Sequence, residues 1–309
     1  MIDVHRLRVL REVVRHGSFN RAAVALRMTA SAVSQQIAAL ERSVGAAVVE
    51  RSTRGVVLTE AGQILADTAD AVTAELDRAE HDLARLSGAA DRELTVATFA
   101  SGGQRLLPPA LIRFSREHPD VVLTVLESDT EQSLPQVVAG TADLALAYHF
   151  DGPPPDHPGL TWTPLLDDPL WAVLPSGHPL GDRDAVGLGE LAGERWILGC
   201  LGMDEILGAH AVTAGFDPII ACRGSDYVFA QALVRAGVGI SLIPQVALTV
   251  ERGGLAVVPL TVPRPVRFVG VATPSRRVRP AATALLHALQ ETVEGLPATV
   301  TPAADPAAR

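Results

Sequence analysis

The sequence predicts an α/β multidomain protein: an N-terminal winged helix-turn-helix, a long linker helix and a larger α/β body. Three observations carry this. Ser18–Leu40 holds two short apolar stripes at helical spacing: Phe19, Ala22, Ala23 and Leu26, then Ala32, Val33, Ile37 and Leu40. Thr59–Leu86 runs without proline, and without glycine after Gly62. Beyond residue 92, short apolar runs alternate with helical stretches, the pattern of βαβ units around a parallel sheet.

Each element follows in order. Residues 3–16 read as an amphipathic helix with Val4, Leu7, Leu10, Val13 and Val14 on its apolar face and Gly17 as its stop. Ser18 is placed to cap the next helix. Arg27–Met28–Thr29 makes the turn, and Thr29 is placed to cap the helix that runs to about Val44. Both helices are thin and alanine-rich, so they can cross closely and leave a polar face of the second one protruding. That face carries Ser31, Ser34 and Gln35, with Thr29 and Arg27 beside it. Short hydroxyls and an amide on a protruding helix suit phosphates and base edges in a major groove. Next, Val48–Val49 and Val56–Leu58 flank Arg51–Ser52–Thr53–Arg54–Gly55, a hairpin with a basic tip. This is a wing whose Arg51 and Arg54 are candidates for phosphate contact. In the long helix, Ile64, Thr68, Val72, Leu76, Ala79, Leu83 and Leu86 recur at steps of four and three. Such a narrow seam over about 42 Å (at 1.5 Å per residue) suits pairing with a second copy. Ser87–Arg92 is a small polar linker.

In the body, strands are expected at Leu94–Phe99, Val121–Glu127, Asp143–Tyr148, Leu170–Leu174, Trp196–Leu198, Ile219–Cys222, Ile240–Ile243 and Val266–Thr273. Helices are expected near 103–117, 131–139, 203–214, 226–236 and 281–293. Residues 296–309, rich in Pro, Ala and Thr, read as a disordered tail.

Composition bounds the function. The 309 residues carry a net charge of −9, and every one of the 26 basic residues is arginine. The distribution matters more than the total. Residues 1–58 hold nine Arg against four acids, whereas residues 59–87 hold two Arg against seven acids. A basic module on an acidic body is the footprint of DNA binding. The chain shows neither an apolar run long enough to span a membrane nor the layout of a signal peptide, which points to the cytoplasm. Two cysteines exclude a disulfide scaffold. Gly187–Ala192 fits a dinucleotide fingerprint, but no buried strand precedes it. Hydrolase, metalloprotease and phosphate-loop motifs are absent, as is metal-ligand spacing, so neither a cofactor nor an enzyme is expected.

These residues together resemble the LysR-type transcriptional regulators. The resemblance is carried by Gly17–Ser18–Phe19, Ala22–Ala23, the Ser31–Ile37 run, Leu40–Glu41, Gly45, Arg51 and Leu58–Gly62. It continues through Leu107–Pro108, Phe114, Pro119, Gly140, Asp143–Ala145, Leu174–Pro175, His178–Leu180, Val234–Gly239 and Ile243–Pro244. It implies a DNA-binding domain at 1–58, a dimerising linker at 59–91 and an effector domain at 92–295. That effector domain would have two lobes like a periplasmic binding protein. The chain would cross between lobes near Leu160–Leu165 and Val258–Val266, giving lobe 1 as 92–163 with 266–295 and lobe 2 as 164–265. The expected partners are double-stranded operator DNA, a small effector in the inter-lobe cleft, and further copies of the chain in a homodimer or homotetramer. Many members have Gln-Pro at Ala30–Ser31 and Arg at Gln35, so this recognition helix offers fewer base readers.

By fold analogy, the effector sits at the carboxyl ends of the strands. The candidates there are Ser101, Gly102, Thr130, Tyr148, Cys200 and Asp226. Asp129 is assigned to capping. Two alternatives stand beside effector binding. One is a redox role for Cys200, since one branch of the family senses peroxide through a cysteine pair. The other is a small-molecule binding protein with no DNA role, which would not need residues 1–87.

Overall fold

In the computed structural model, the described residues are 2–52, 55–85, 92–150, 157–200, 202–249, 253–295 and 301–302. The chain divides into two units, one built on residues 1–88 and one on 89–137 and 141–309.

The first unit opens with α1 (Val4–His16). Asp3 caps it by accepting from the His5 amide, and Gly17 ends it in the left-handed region. Then come α2 (Phe19–Ala25) and α3 (Ala30–Val44). Ser18 takes the cap position of α2, but its side chain makes no capping bond. Thr29 does cap α3, accepting from the Ala32 amide at 3.2 Å. Between the helices Arg27 adopts φ +53°, which turns the chain sharply enough for α3 to cross α2. Most of the predicted stripes become one core, in which Leu7, Leu10 and Val13 meet Ala22, Ala23, Val33, Ile37 and Leu40, whereas Val4 and Val14 of the first stripe are exposed. β1 (Val49–Ser52) and β2 (Gly55–Leu58) pair antiparallel as the wing.

Helix α4 (Glu60–Arg85) starts on a tight corner. Thr59 donates to the Ala47 carbonyl and accepts from the Gly62 amide. A Cβ on Gly62 would lie 1.9 Å from the Val48 carbonyl oxygen, so only glycine fits this approach. One side of α4 buries Leu65, Ala66 and Ala69 in its own domain. Farther along the helix Leu76 and Leu83, in line with Leu65 and Ala69, are 48% and 66% exposed, with Ala79 exposed between them, and Ile64 is 62% exposed. Of the predicted seam, Ile64, Leu76, Ala79 and Leu83 lie uncovered within the single chain, Thr68 and Val72 are half-buried, and Leu86 lies outside the described residues.

The second unit holds two lobes. In the first, β3 (Glu93–Thr98) pairs in parallel with β4 (Val122–Glu127) and with β5 (Leu144–Phe150). β11 (Val266–Pro274) lies antiparallel between β5 and β6 (Leu160–Pro175). Helices α5 (Ala100–Arg105), α6 (Leu107–Glu117), α7 (Thr130–Val138) and α10 (Pro280–Glu294) belong to this lobe. Its core runs through Leu94, Phe114, Leu144, Leu146 and Leu285. In the second lobe, the far end of β6 is flanked by β9 (Ser241–Pro244) and β10 (Leu255–Pro259). β7 (Arg195–Leu198) pairs in parallel with β8 (Ile219–Arg223), and α8 (Met203–Ala214) and α9 (Tyr227–Arg235) complete the lobe.

Three expectations are corrected by these facts. β6 is one continuous strand of 16 residues. It pairs with β11 up to Pro169 and with β9 and β10 from Leu170, so the first crossing lies at Pro169/Leu170 and not at Leu160–Leu165. The prolines hid it. Pro164 sits opposite Gly270, where the register shifts and no amide is required. The helix expected over 103–117 breaks at Leu106, because Pro108 and Pro109 start a new helix more readily than they continue one. Strand β10 was missing from the sequence reading. Gly187–Ala192 forms a tight 3-10 turn in which Glu190 accepts from the Gly187 amide at 2.8 Å. Thr301 and Pro302 lie antiparallel to Asp167 and Leu166, and the rest of 296–309 is outside the described residues. Among the described residues, no helix is long and apolar enough to cross a membrane, and no group of side chains could hold a metal ion.

Candidate functional site

The first unit presents α3 as a helix divided lengthwise. Val33, Ile37 and Leu40 are buried, while Ser31 and Gln35 are exposed and Ser34 is half-buried on the other side. Arg27 and Thr29 are exposed at its entrance. The division follows from spacing: positions 33, 37 and 40 share one helical face, and 31 and 35 lie opposite. Arg51 is the third residue of β1 as that strand runs to the wing tip. Arg54 and Thr53, at the tip, lie outside the described residues.

The second unit contains a half-open cleft. Its lining comes from the carboxyl ends of β3 and β5, from the starts of α5 and α9, and from β11. Four of the six sequence candidates line it: Ser101, Tyr148, Cys200 and Asp226. The other two do not. A Cβ on Gly102 would meet the Phe99 ring at 2.7 Å and Leu146 at 2.8 Å, so this glycine serves core packing and not ligand approach. Thr130 instead accepts from the Tyr148 amide at 3.0 Å and so fixes the end of β5. Asp226 both lines the cleft and caps α9, accepting from the amides of Val228 and Phe229. Asp129, assigned to capping, faces the cleft.

Sequence reasoning missed the side chain at the floor, Arg267. It is 1% exposed and pairs with the fully buried Asp168. Nε and Nη2 donate to Asp168 Oδ2 at 3.0 and 2.6 Å, and Nη2 also donates to Ser101 Oγ at 3.2 Å. The other oxygen of Asp168 accepts from the Val246 amide at 2.9 Å. The guanidinium lies over the rings of Phe99 and Tyr148, 4.8 and 5.0 Å from their centroids. A lone arginine in the apolar run Val266–Ala272, with an aspartate pair at 167–168, was the available signal. An ion so placed must be paired.

The cleft's hydroxyls and thiol are held protonated. Burial pushes Tyr148 up to about 12, with a push from Cys200 and an opposing pull from Arg267. Burial raises Tyr227 well above the usual phenol value. It also raises the Cys200 thiol, against the pull of the hydrogen bond with the Tyr227 hydroxyl at 2.9 Å. Cys222 lies on β8 opposite Ile197 of β7, Cys200 follows the end of β7, and both are free, half-buried thiols. The cleft thus offers hydroxyl, guanidinium and carboxylate groups to a small molecule, and its cysteine is a free thiol.

Comparison with known proteins agrees at both ends of the chain. The helix-turn-helix model of the LysR family of bacterial regulatory proteins matches residues 4–63, and the LysR substrate binding domain matches residues 87–294. The chain is 31% identical over 266 residues to the uncharacterized transcriptional regulator YnfL of Escherichia coli, covering 84% of this chain and 88% of that one. It is 32% identical over 274 residues to a probable hydrogen peroxide-inducible genes activator of Mycobacterium avium, with 86% of each covered. A cysteine mutant of OxyR from Corynebacterium glutamicum superposes with a TM-score of 0.56 at 27% identity, covering 95% of this chain and 93% of that one. A helix built to read DNA and a cleft built to take a small molecule thus occur here in the order and at the places that define one group of proteins, and the chain belongs to the LysR family of DNA-binding transcriptional regulators.

Proposed function

We propose that this regulator reads its operator through Ser31, Ser34 and Gln35, with Arg27, Thr29, Arg51 and Arg54 on the phosphates, and that a ligand in the cleft sets how it engages the promoter. The observation that carries the DNA-reading part is the lengthwise division of α3: its apolar side is spent on the domain core, leaving its polar side toward solvent. Ser101, Tyr148, Cys200 and Asp226 take the effector, with Arg267 beneath them. The uncovered seam of α4 joins two copies, placing two α3 helices on one duplex. The protein acts as a regulator and not as a catalyst, in the cytoplasm, where its DNA is.

Gel-shift titration of the full chain on the DNA flanking its own gene tests this. Binding should be selective over random DNA, with log affinity falling linearly in log salt. Equal affinity for random DNA would overturn the operator reading. Ser101→Ala should abolish the effector-dependent change in footprint while basal binding stays intact, and an unchanged response would remove Ser101 from the site.

A peroxide-sensing role through Cys200, as the names of some relatives bring to mind, is less well supported. Burial raises that thiol, whereas attack on an oxidant needs the thiolate.

A further inference from the structure

The polar groups of the cleft are sorted by kind, and the sorting selects a ligand class. The floor carries donors. Arg267 spends Nε and Nη2 on Asp168 and Ser101, and among the described residues its Nη1 has no partner. Ser101 Oγ accepts from Arg267, so its own proton is free to be given. Tyr148, protonated at neutral pH, adds a third donor. The sides carry acceptors. Asp226 uses one carboxylate oxygen to cap α9, and among the described residues the other is unpaired, as are both oxygens of Asp129.

Charge then discriminates. Asp129, Asp226 and Arg267 give the lining a net charge of −1, and Asp168 behind Arg267 makes the site −2. A simple carboxylate would satisfy the floor but face the carboxylate of Asp129 and the second oxygen of Asp226 on the walls. A simple amine would satisfy the walls but leave Nη1, Ser101 and Tyr148 without an acceptor, in a place where buried unpaired donors are costly. A molecule with an anionic end and a cationic end satisfies both.

Resting on the effector reading above, we propose that the cleft takes a small zwitterion of the amino-acid class. Its carboxylate lies on Arg267 Nη1, Ser101 and Tyr148, and its ammonium lies between Asp129 and Asp226. The Arg267–Asp168 pair holds the floor rigid, and the exposed Asp129 discriminates the amine.

The test uses the full chain and the twenty common L-amino acids, read by thermal shift and titration calorimetry. Each amino acid is set beside its 2-hydroxy acid and its decarboxylated amine. At least one amino acid should bind, with both of its analogues weaker by tenfold or more. Asp129→Asn should weaken that amino acid about fivefold or more while leaving its 2-hydroxy acid unchanged or tighter. A hydroxy acid or amine that binds as well as its amino acid would overturn the proposal, as would failure of all twenty to bind. DNA footprinting in the presence of a small-molecule fraction of cell extract separates the two levels. A changed footprint with no amino-acid binding sinks the zwitterion alone, and an unchanged footprint sinks the effector reading with it.

Discussion

At the scale of single residues, the two working surfaces use opposite strategies. The solvent face at the start of α3 is sparse: Ser31 and Gln35 exposed and Ser34 half-buried, with Arg27 exposed at the entrance. Base selection by so few groups leaves shape and phosphate contact a large share of the work. Ser34→Ala should therefore lower affinity for the operator more than for random DNA. Arg54→Ala should lower both alike and reduce the salt slope by about 0.9, as loss of one phosphate contact would. Fluorescence anisotropy across a salt series measures both. The cleft instead concentrates protonated hydroxyls around a buried ion pair, and this has a pH consequence. Tyr148 keeps its proton up to about 12 in the folded protein, whereas in the unfolded chain it ionises near 10. The unfolded state then binds fewer protons over that interval, so stability falls as pH rises from about 10 to about 12. Urea midpoints across that range should decline, and Tyr148→Phe should make the decline shallower, leaving the share that the buried Tyr227 contributes.

At the scale of elements, the corner between wing and α4 is the most tightly specified join. Gly62→Ala should cost the DNA-binding unit about 1–3 kcal/mol, as overpacking against an immovable backbone does, because the added methyl would overlap the Val48 carbonyl. Chemical denaturation followed by helical circular dichroism would show it, and a neutral result would mean the corner can relax. Apolar spacing announced α1, α3 and α4 because one face of each is buried and the other is not. The first ten residues of β6 were not announced. Their pattern is interrupted by Pro164, Asp167, Asp168 and Pro169, residues that normally end strands but here serve a bulge, a buried ion pair and a crossing. Four cleft residues were legible from strand-end positions alone. Arg267 was not, because its partner Asp168 lies 99 residues away and only the pairing of β6 with β11 brings them opposite.

At the scale of the whole molecule, the uncovered side of α4 implies an assembly. Leu76→Asp together with Leu83→Asp should shift sedimentation toward the monomer and lower operator affinity by at least tenfold, since each copy would then bind alone; an unchanged sedimentation coefficient would place the interface elsewhere. Within the effector unit, the two connections between lobes are neighbours. β6 passes through at Pro169/Leu170, the return segment enters β11 at Val266, and the Leu170 amide donates to the Pro265 carbonyl at 3.1 Å between them. Asp168 and Arg267 stand opposite each other at the near edge of this join. Two strands fastened edge to edge behave mechanically as a leaf spring, soft to bending across the thin direction and stiff to twist and in-plane shear. A molecule seated on Arg267, as proposed above, would act at the clamped end of that spring, where a single bend is the motion such a join leaves open.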